Sequence, residues 1–174
     1  MVLLVFISIG CKRREVRLQA NAITDRKTVA VLDASDVNTI ISDSGIVRYR
    51  IKAAQWKVFD KADTPYWEFP KGIYLEKFNT DLEADATIEA DYAYYNEPAQ
   101  RWMLSGHVKA LNLEGETFET PVLFWDQKSQ SVYSDSSIVI TRESSIIQGI
   151  GFRSNQSMTQ YTILRPTGVF PIKD

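Results

Sequence analysis

Residues 88–125 read IEADYAYYNEPAQRWMLSGHVKALNLEGETFETPVLFW. Ile88 and Ala90 alternate with Thr87, Glu89 and Asp91, and Trp102, Leu104, Gly106 and Val108 alternate with Met103, Ser105, His107 and Lys109. Alternation with a period of two is the mark of a strand with one buried face. Turn residues separate the runs at Asn96-Glu97-Pro98, Leu113-Glu114-Gly115 and Asp126-Gln127-Lys128-Ser129. Displaced by 30 residues, the segment falls on itself: Ile88 on Phe118, Ala93 on Leu123, Tyr95 on Trp125, Trp102 on Val132 and Val108 on Ile138. The apolar phase slips by one residue at Asp91-Tyr92 and again at the matching Pro121-Val122. An extra residue at a fixed place is what a β-bulge supplies, and proline cannot serve an ordinary central ladder position. A third, weaker copy fits a shift of 29, with Phe118 on Ile147, Leu123 on Phe152 and Asp126 on Asn155.

Outward from this segment the same pattern continues. Val47, Tyr49, Ile51 and Ala53 alternate with Arg48, Arg50 and Lys52, and no stretch carries a convincing helical stripe. Residues 44–172 therefore read as one all-β domain, an elongated stack of hairpin units of about 30 residues. Two facing antiparallel sheets, open along a seam, satisfy both the repeat and the one-sided apolar pattern. Residues 11–43 read as an anchor followed by a linker or early strand.

Composition narrows the function. The chain has 174 residues, 44% of them hydrophobic and 24% charged, with a formal net charge of -2. A general nucleic-acid binder would show a basic excess. With one Cys and one His, an internal disulfide is impossible and a Cys/His zinc site nearly so. Neither a phosphate-binding glycine loop nor a nucleophile elbow stands in the chain. Asp85, Glu89 and Asp91 share one strand face at every second residue and read as a solvated outer face rather than a catalytic carboxylate pair. His107 reads as pointing outward. No enzyme, cofactor or metal site is expected.

Residues 1–9, MVLLVFISI, form an apolar run too short for a membrane span, which needs about 20 residues. The run ends at Gly10-Cys11, followed by Lys12, Arg13 and Arg14. An apolar run, a small residue and the single cysteine resemble a bacterial lipoprotein signal, with residues 1–10 cleaved and Cys11 lipidated. The basic cluster would add attraction to anionic headgroups.

Several runs taken in order carry a family resemblance: Ser42-Asp43-Ser44-Gly45-Ile46-Val47-Arg48-Tyr49, Ile88-Glu89-Ala90-Asp91-Tyr92-Ala93-Tyr94-Tyr95, Leu104-Ser105-Gly106-His107-Val108, Phe124-Trp125-Asp126, Val132-Tyr133-Ser134-Asp135 and Gly149-Ile150-Gly151-Phe152-Arg153-Ser154-Asn155. Together they resemble LptC, the periplasmic component of lipopolysaccharide export, in a lipoprotein-anchored form, and are related to LptA/OstA-like domains. The usual LptC anchor is a transmembrane helix, from which the short run ending in Cys11 departs. The resemblance implies a β-jellyroll, or β-taco, on the periplasmic side of the envelope, anchored to the inner rather than the outer membrane. It implies a non-enzymatic role: lipopolysaccharide arrives from an inner-membrane ABC transporter, its acyl chains lie in the interior, and it passes to an LptA-like bridge.

The inward set expected from the alternation is Ile88, Ala90, Ala93, Tyr95, Trp102, Leu104, Val108, Phe118, Leu123, Trp125, Val132, Ile138, Ile140, Ile147 and Phe152. A packed core and a lipid slot both need such residues. Arg48, Arg50 and Lys52 share a strand face and are head-group candidates, or else a solvated face. An open roll keeps two strand edges, and a partner strand is their natural use. Tyr161, Thr162 and Ile163 are placed at the edge facing the bridge, and Ile46–Ala53 at the edge facing the transporter. The competing function is a structural envelope module with a closed core and capped ends.

Overall fold

The computed structural model describes residues 25–143 and 145–171. After a single 3-10 turn at Arg26–Thr28 every regular element among the described residues is a strand: β1 (Leu32–Asp43), β2 (Ile46–Phe59), β3 (Tyr66–Phe69), β4 (Ile73–Phe78), β5 (Ala84–Ala90), β6 (Tyr92–Asn96), β7 (Arg101–Asn112), β8 (Thr117–Asp126), β9 (Ser131–Arg142), β10 (Ser145–Asn155) and β11 (Tyr161–Pro171). All eleven belong to one antiparallel sheet. β3 and β4 pair with the same flanking strands, β2 on one side and β6 or β5 on the other, so they act as one interrupted strand. β5 and β6 likewise share β7. The sheet is thus an up-and-down meander of long strands joined by short turns.

Nearly every long strand is broken near its middle, and the breaks line up. Gly72 approaches the Ala90 carbonyl, and the Asp91 N–H donates to the Gly106 carbonyl at 3.0 Å. Pairing of β7 with β8 jumps from Ser105–Val122 to Val108–Thr120, which leaves Gly106 and His107 opposite Pro121. Pairing of β10 with β9 slips between Ile150 and Phe152, at Gly151. Gly72, Gly106, His107 and Gly151 all have positive φ. Each bulge bends its strand, and a row of bends folds the sheet lengthwise. At the fold, Thr120 and Ser134 hydroxyls pair at 3.0 Å, while Thr120 donates to the Val122 carbonyl and Ser134 accepts from the Ser136 N–H. These bonds satisfy polar groups that the bulges leave buried.

Two lobes therefore face each other across an apolar interior. Tyr49, from the first half of β2, packs edge-on against Trp125, from the second half of β8, with centroids 5.1 Å apart. Phe118 meets Phe152 at 5.4 Å and Tyr161 at 5.2 Å. The expected pair of facing sheets is one continuous sheet bent along a seam, because the strands run through the bulges instead of ending there. The slip expected at Asp91-Tyr92 and Pro121-Val122 lies on this seam. β1 lies ahead of residue 44, where the alternating pattern begins. It pairs with β2 along its whole length, yet much of it is exposed, so its sequence carries no clear period-two signal.

Gly106 is a tightly packed place on the seam. A Cβ there would sit 2.7 Å from Asp91 Oδ2 and 2.9 Å from its Cβ, at φ +74. Gly115 has a similar φ, +77, with nothing within 4 Å. Gly115→Ala should cost about 1 kcal/mol from the backbone alone. Gly106→Ala should cost roughly 1–3 kcal/mol more, from the clash. Urea unfolding of the two variants checks the difference.

Candidate functional site

The expected inward residues do lie between the lobes. Ile88, Ala90, Ala93, Trp102, Leu104, Val108, Phe118, Leu123, Trp125, Val132, Ile138, Ile140 and Phe152 are buried in one apolar cluster, with Tyr95 and Ile147 partly buried against it. His107 points outward as expected: its side chain is 93% exposed, held by Asp91 at 2.6 Å. The four tryptophans gather toward the β1 end of the cluster. Trp67 and Trp102 each contact Tyr95 and Phe69 or Trp56 neighbours, and Trp102 stacks over Trp125 at 6.4 Å. The indole N–H groups of Trp56, Trp102 and Trp125 are buried without an acceptor among the described residues. Each such group costs about 1–3 kcal/mol. The interior is tightly packed here: the gap among Leu75, Ala86, Ile88 and Trp125 holds about 10 Å³, room for about one water.

Where the lobes' rims meet, opposite the seam, the chemistry turns polar. The turns of one rim repeat. Asn96 Oδ1 accepts from the Ala99 N–H, Asp126 Oδ1 from Ser129, and Asn155 Oδ1 from Thr159 and Gln160. Gln100 and Gln130 take the same left-handed conformation, φ 53. The third turn, 156–160, is one residue longer. The shift of 29 instead of 30 arises earlier: β9 and β10 are separated by two residues where β7 and β8 are separated by four, and β10 is one residue longer than β8. The longer turn crosses to the other rim as a strap. Met158 is fully buried in the core cluster, its carbonyl accepts from Asn112 Nδ2 at 3.0 Å, and Ser157 Oγ donates to Asp85 Oδ2 at 3.1 Å. Glu116, also buried, accepts from Asn112, Tyr161 and Arg142.

Two expectations change here. Asp85 is not on a solvated face: the β4–β5 register slips beside it, and it is buried and paired with Lys77. The cations are largely engaged on the outside of the roll. Arg50 and Lys52 both pair with Glu76, at 2.7 and 3.9 Å, and lie over Phe78 and Tyr74. Arg48 alone of the three lines the rim, in a polar slot. Alternation showed that the three share a face, but not that Glu76 on the neighbouring strand sits opposite.

The edges are also partly reassigned. β11 pairs only with β10 among the described residues, so Tyr161, Thr162 and Ile163 do stand on an edge strand. The Asn155 N–H bonds the Gln160 carbonyl. By the alternation of an antiparallel ladder, Thr162 then turns its N–H toward β10, and Tyr161, Ile163 and Arg165 turn theirs outward. At the other end, Ile46–Ala53 is no edge: β1 covers β2, and β1 is the outermost strand. Cys11 and the basic residues after it lie outside the described residues.

One long sheet folded around an apolar interior, with an end strand at each side whose outer edge is unpaired among the described residues and a polar rim, defines a β-roll of the jellyroll class. The chain belongs to the family described as lipopolysaccharide-assembly, LptC-related, whose model matches residues 1–167. No curated protein matches the chain. Family membership makes it a component of lipopolysaccharide transport at the periplasmic envelope.

Burial raises the phenols of Tyr49, Tyr66, Tyr74, Tyr92, Tyr95 and Tyr161, and Tyr92 furthest. Partial burial and then the charge of Glu68, which accepts its hydroxyl at 3.1 Å, push it from an ordinary 10.0 up to about 12. The folded state holds this proton more tightly than the unfolded chain does. Its contribution to stability is therefore full below pH 10 and lost as the pH rises toward 12. Tyr92→Phe should flatten the alkaline loss of stability across that window, measured by denaturant unfolding at stepped pH.

Proposed function

We propose that the chain relays lipopolysaccharide across the periplasm with the lipid's acyl chains between the two lobes. The observation that carries this reading is the interior: apolar residues from β2 through β11 form one cluster that runs along the roll, bounded by a polar rim. Each chain transferred there from water would gain about 25 cal/mol per Å². The lobes are joined by continuous strands at the seam. At the rim they meet through a few polar contacts and the inserted Met158. Parting the rims is thus the route of entry that breaks least structure. Methionine suits a place that must be filled and vacated, being unbranched and adaptable. Cys11 carries the lipid anchor in this reading, on the inner membrane. β1 faces the inner-membrane ABC transporter, and β11 faces an LptA-like bridge by strand addition.

A photo-crosslinking residue at Leu104 in the full chain, in cells, should form an adduct with lipopolysaccharide, and one at exposed His107 should not. The packed interior favours a second reading, a structural envelope module with a closed core. That module becomes the better account if a folded Leu104 variant forms no adduct.

The edge has its own test. Arg165→Pro removes an outward N–H and leaves the N–H groups that bond β10 in place. It should abolish capture of the LptA-like bridge while the monomer's unfolding midpoint stays unchanged. Retained capture would show that β11 is not the docking strand.

A further inference from the structure

The rim holds a slot of about 690 Å³, within the roughly 300–1,000 Å³ of small-molecule sites. It lies between the turns of the two lobes. Gln100, Gln127, Gln130 and Gln156 line it from one rim, and Arg48, Tyr49, Lys77 and Asp85 from the other. Its charges balance, with Arg48 and Lys77 against Asp43 and Asp85. An anion therefore gains little net attraction. Side-chain amides both donate and accept, which matches adjacent hydroxyl groups. Gln127 is already oriented: its Oε1 accepts from the Tyr95 hydroxyl at 3.0 Å, and its NH₂ faces the Tyr49 phenol. Gln130 and Gln156 make no side-chain hydrogen bond among the described residues. The Tyr49 phenol, protonated across the neutral range like any tyrosine, lines the slot as a hydroxyl.

Two buried polar atoms near the slot lack partners, one on the slot residue Asp85 and one on Trp125 of the neighbouring apolar gap. Asp85 is more than nine-tenths buried, and its Oδ1 accepts nothing while its Oδ2 holds Lys77 and Ser157. Beneath the slot, Trp125 Nε1 donates to nothing. The slot lies directly beside the interior, because Lys77 and Gln156 line both it and the small apolar gap against Trp125, Leu75 and Ile88. A neutral polar site stacked on an apolar floor fits an amphiphile whose head bears hydroxyls rather than a bare phosphate.

We infer that this slot binds a neutral, hydroxyl-rich sugar ring, with any attached acyl chain directed past Gln156 and Trp125 into the interior. The inference rests on the interior as the chain path and assigns the head group to this rim instead of to Arg50 and Lys52. The sugar could come from a lipid head group or from a free saccharide, so the test separates the two.

The full chain is titrated with intact lipopolysaccharide, with its delipidated saccharide, and with phosphatidylglycerol, which has no sugar, reading tryptophan fluorescence. The double variant Gln130→Met, Gln156→Met is compared with the parent. Two lost amide partners at about 0.5–1.5 kcal/mol each correspond to a loss of roughly tenfold. That loss is expected for both saccharide-bearing ligands, with phosphatidylglycerol unchanged. Equal affinity of parent and variant for intact lipopolysaccharide overturns the slot and leaves the transport reading standing. Saccharide bound by the parent while intact lipid is not supports the slot and defeats the transport reading. Failure of the parent to bind the saccharide at all overturns the slot. Far-ultraviolet circular dichroism verifies that the variant is folded. If it is not, the parent's response to the saccharide decides alone.

Discussion

The alignment of strand breaks across the sheet, from Gly72 through Asp91, Gly106 and Pro121 to Gly151, is the constraint on which the rest depends. A flat meander of this length would expose its apolar face to water. Bending every long strand at the same level lets one continuous sheet bury that face against itself, while the ladder continues on both sides of each bend. The left-handed residues at the breaks make the bend possible, and Asp91 packed on Gly106 leaves no room for a side chain there.

Folding along a line makes the two long borders of the roll unlike each other. The seam is held by covalent continuity and by the buried Thr120–Ser134 pair. The rim is held by contacts between turns, among them the strap with Met158 in the core. Opening at the rim disturbs few interactions, and opening at the seam disturbs most of the ladder. The same geometry concentrates polar groups over the apolar interior, which is the arrangement an amphiphile needs. Orphaned donors and acceptors, on Trp56, Trp102, Trp125 and Asp85, all lie among the interior residues or at the rim.

Much of the fold was legible because its signals are local. The period-two runs located β2, β5 and β7, the repeat extended them to β8, β9 and β10, the phase slip located the seam, and the turn residues located the turns. Buried positions such as Leu104, Phe118 and Val132 followed from parity along each strand. β1 carried no such signal, since a strand exposed on much of both faces has no reason to alternate. Asp85 was misplaced because a one-residue slip beside it turns an outward position inward. The roles of Arg50 and Lys52 depended on Glu76, which is distant in sequence and adjacent only through the β2–β4 pairing.

By itself, the sequence determined the strand class, the repeat, the bulge positions and the inward set, because these follow from the parity of neighbours along the chain. It also carried the resemblance to the LptC family. Only the tertiary structure decided that the two faces are one bent sheet, that β1 and not β2 forms the N-terminal edge, that Met158 fills the core, and that the polar slot sits at the rim. Each of these depends on which distant turns and strands come together, and no local pattern encodes that.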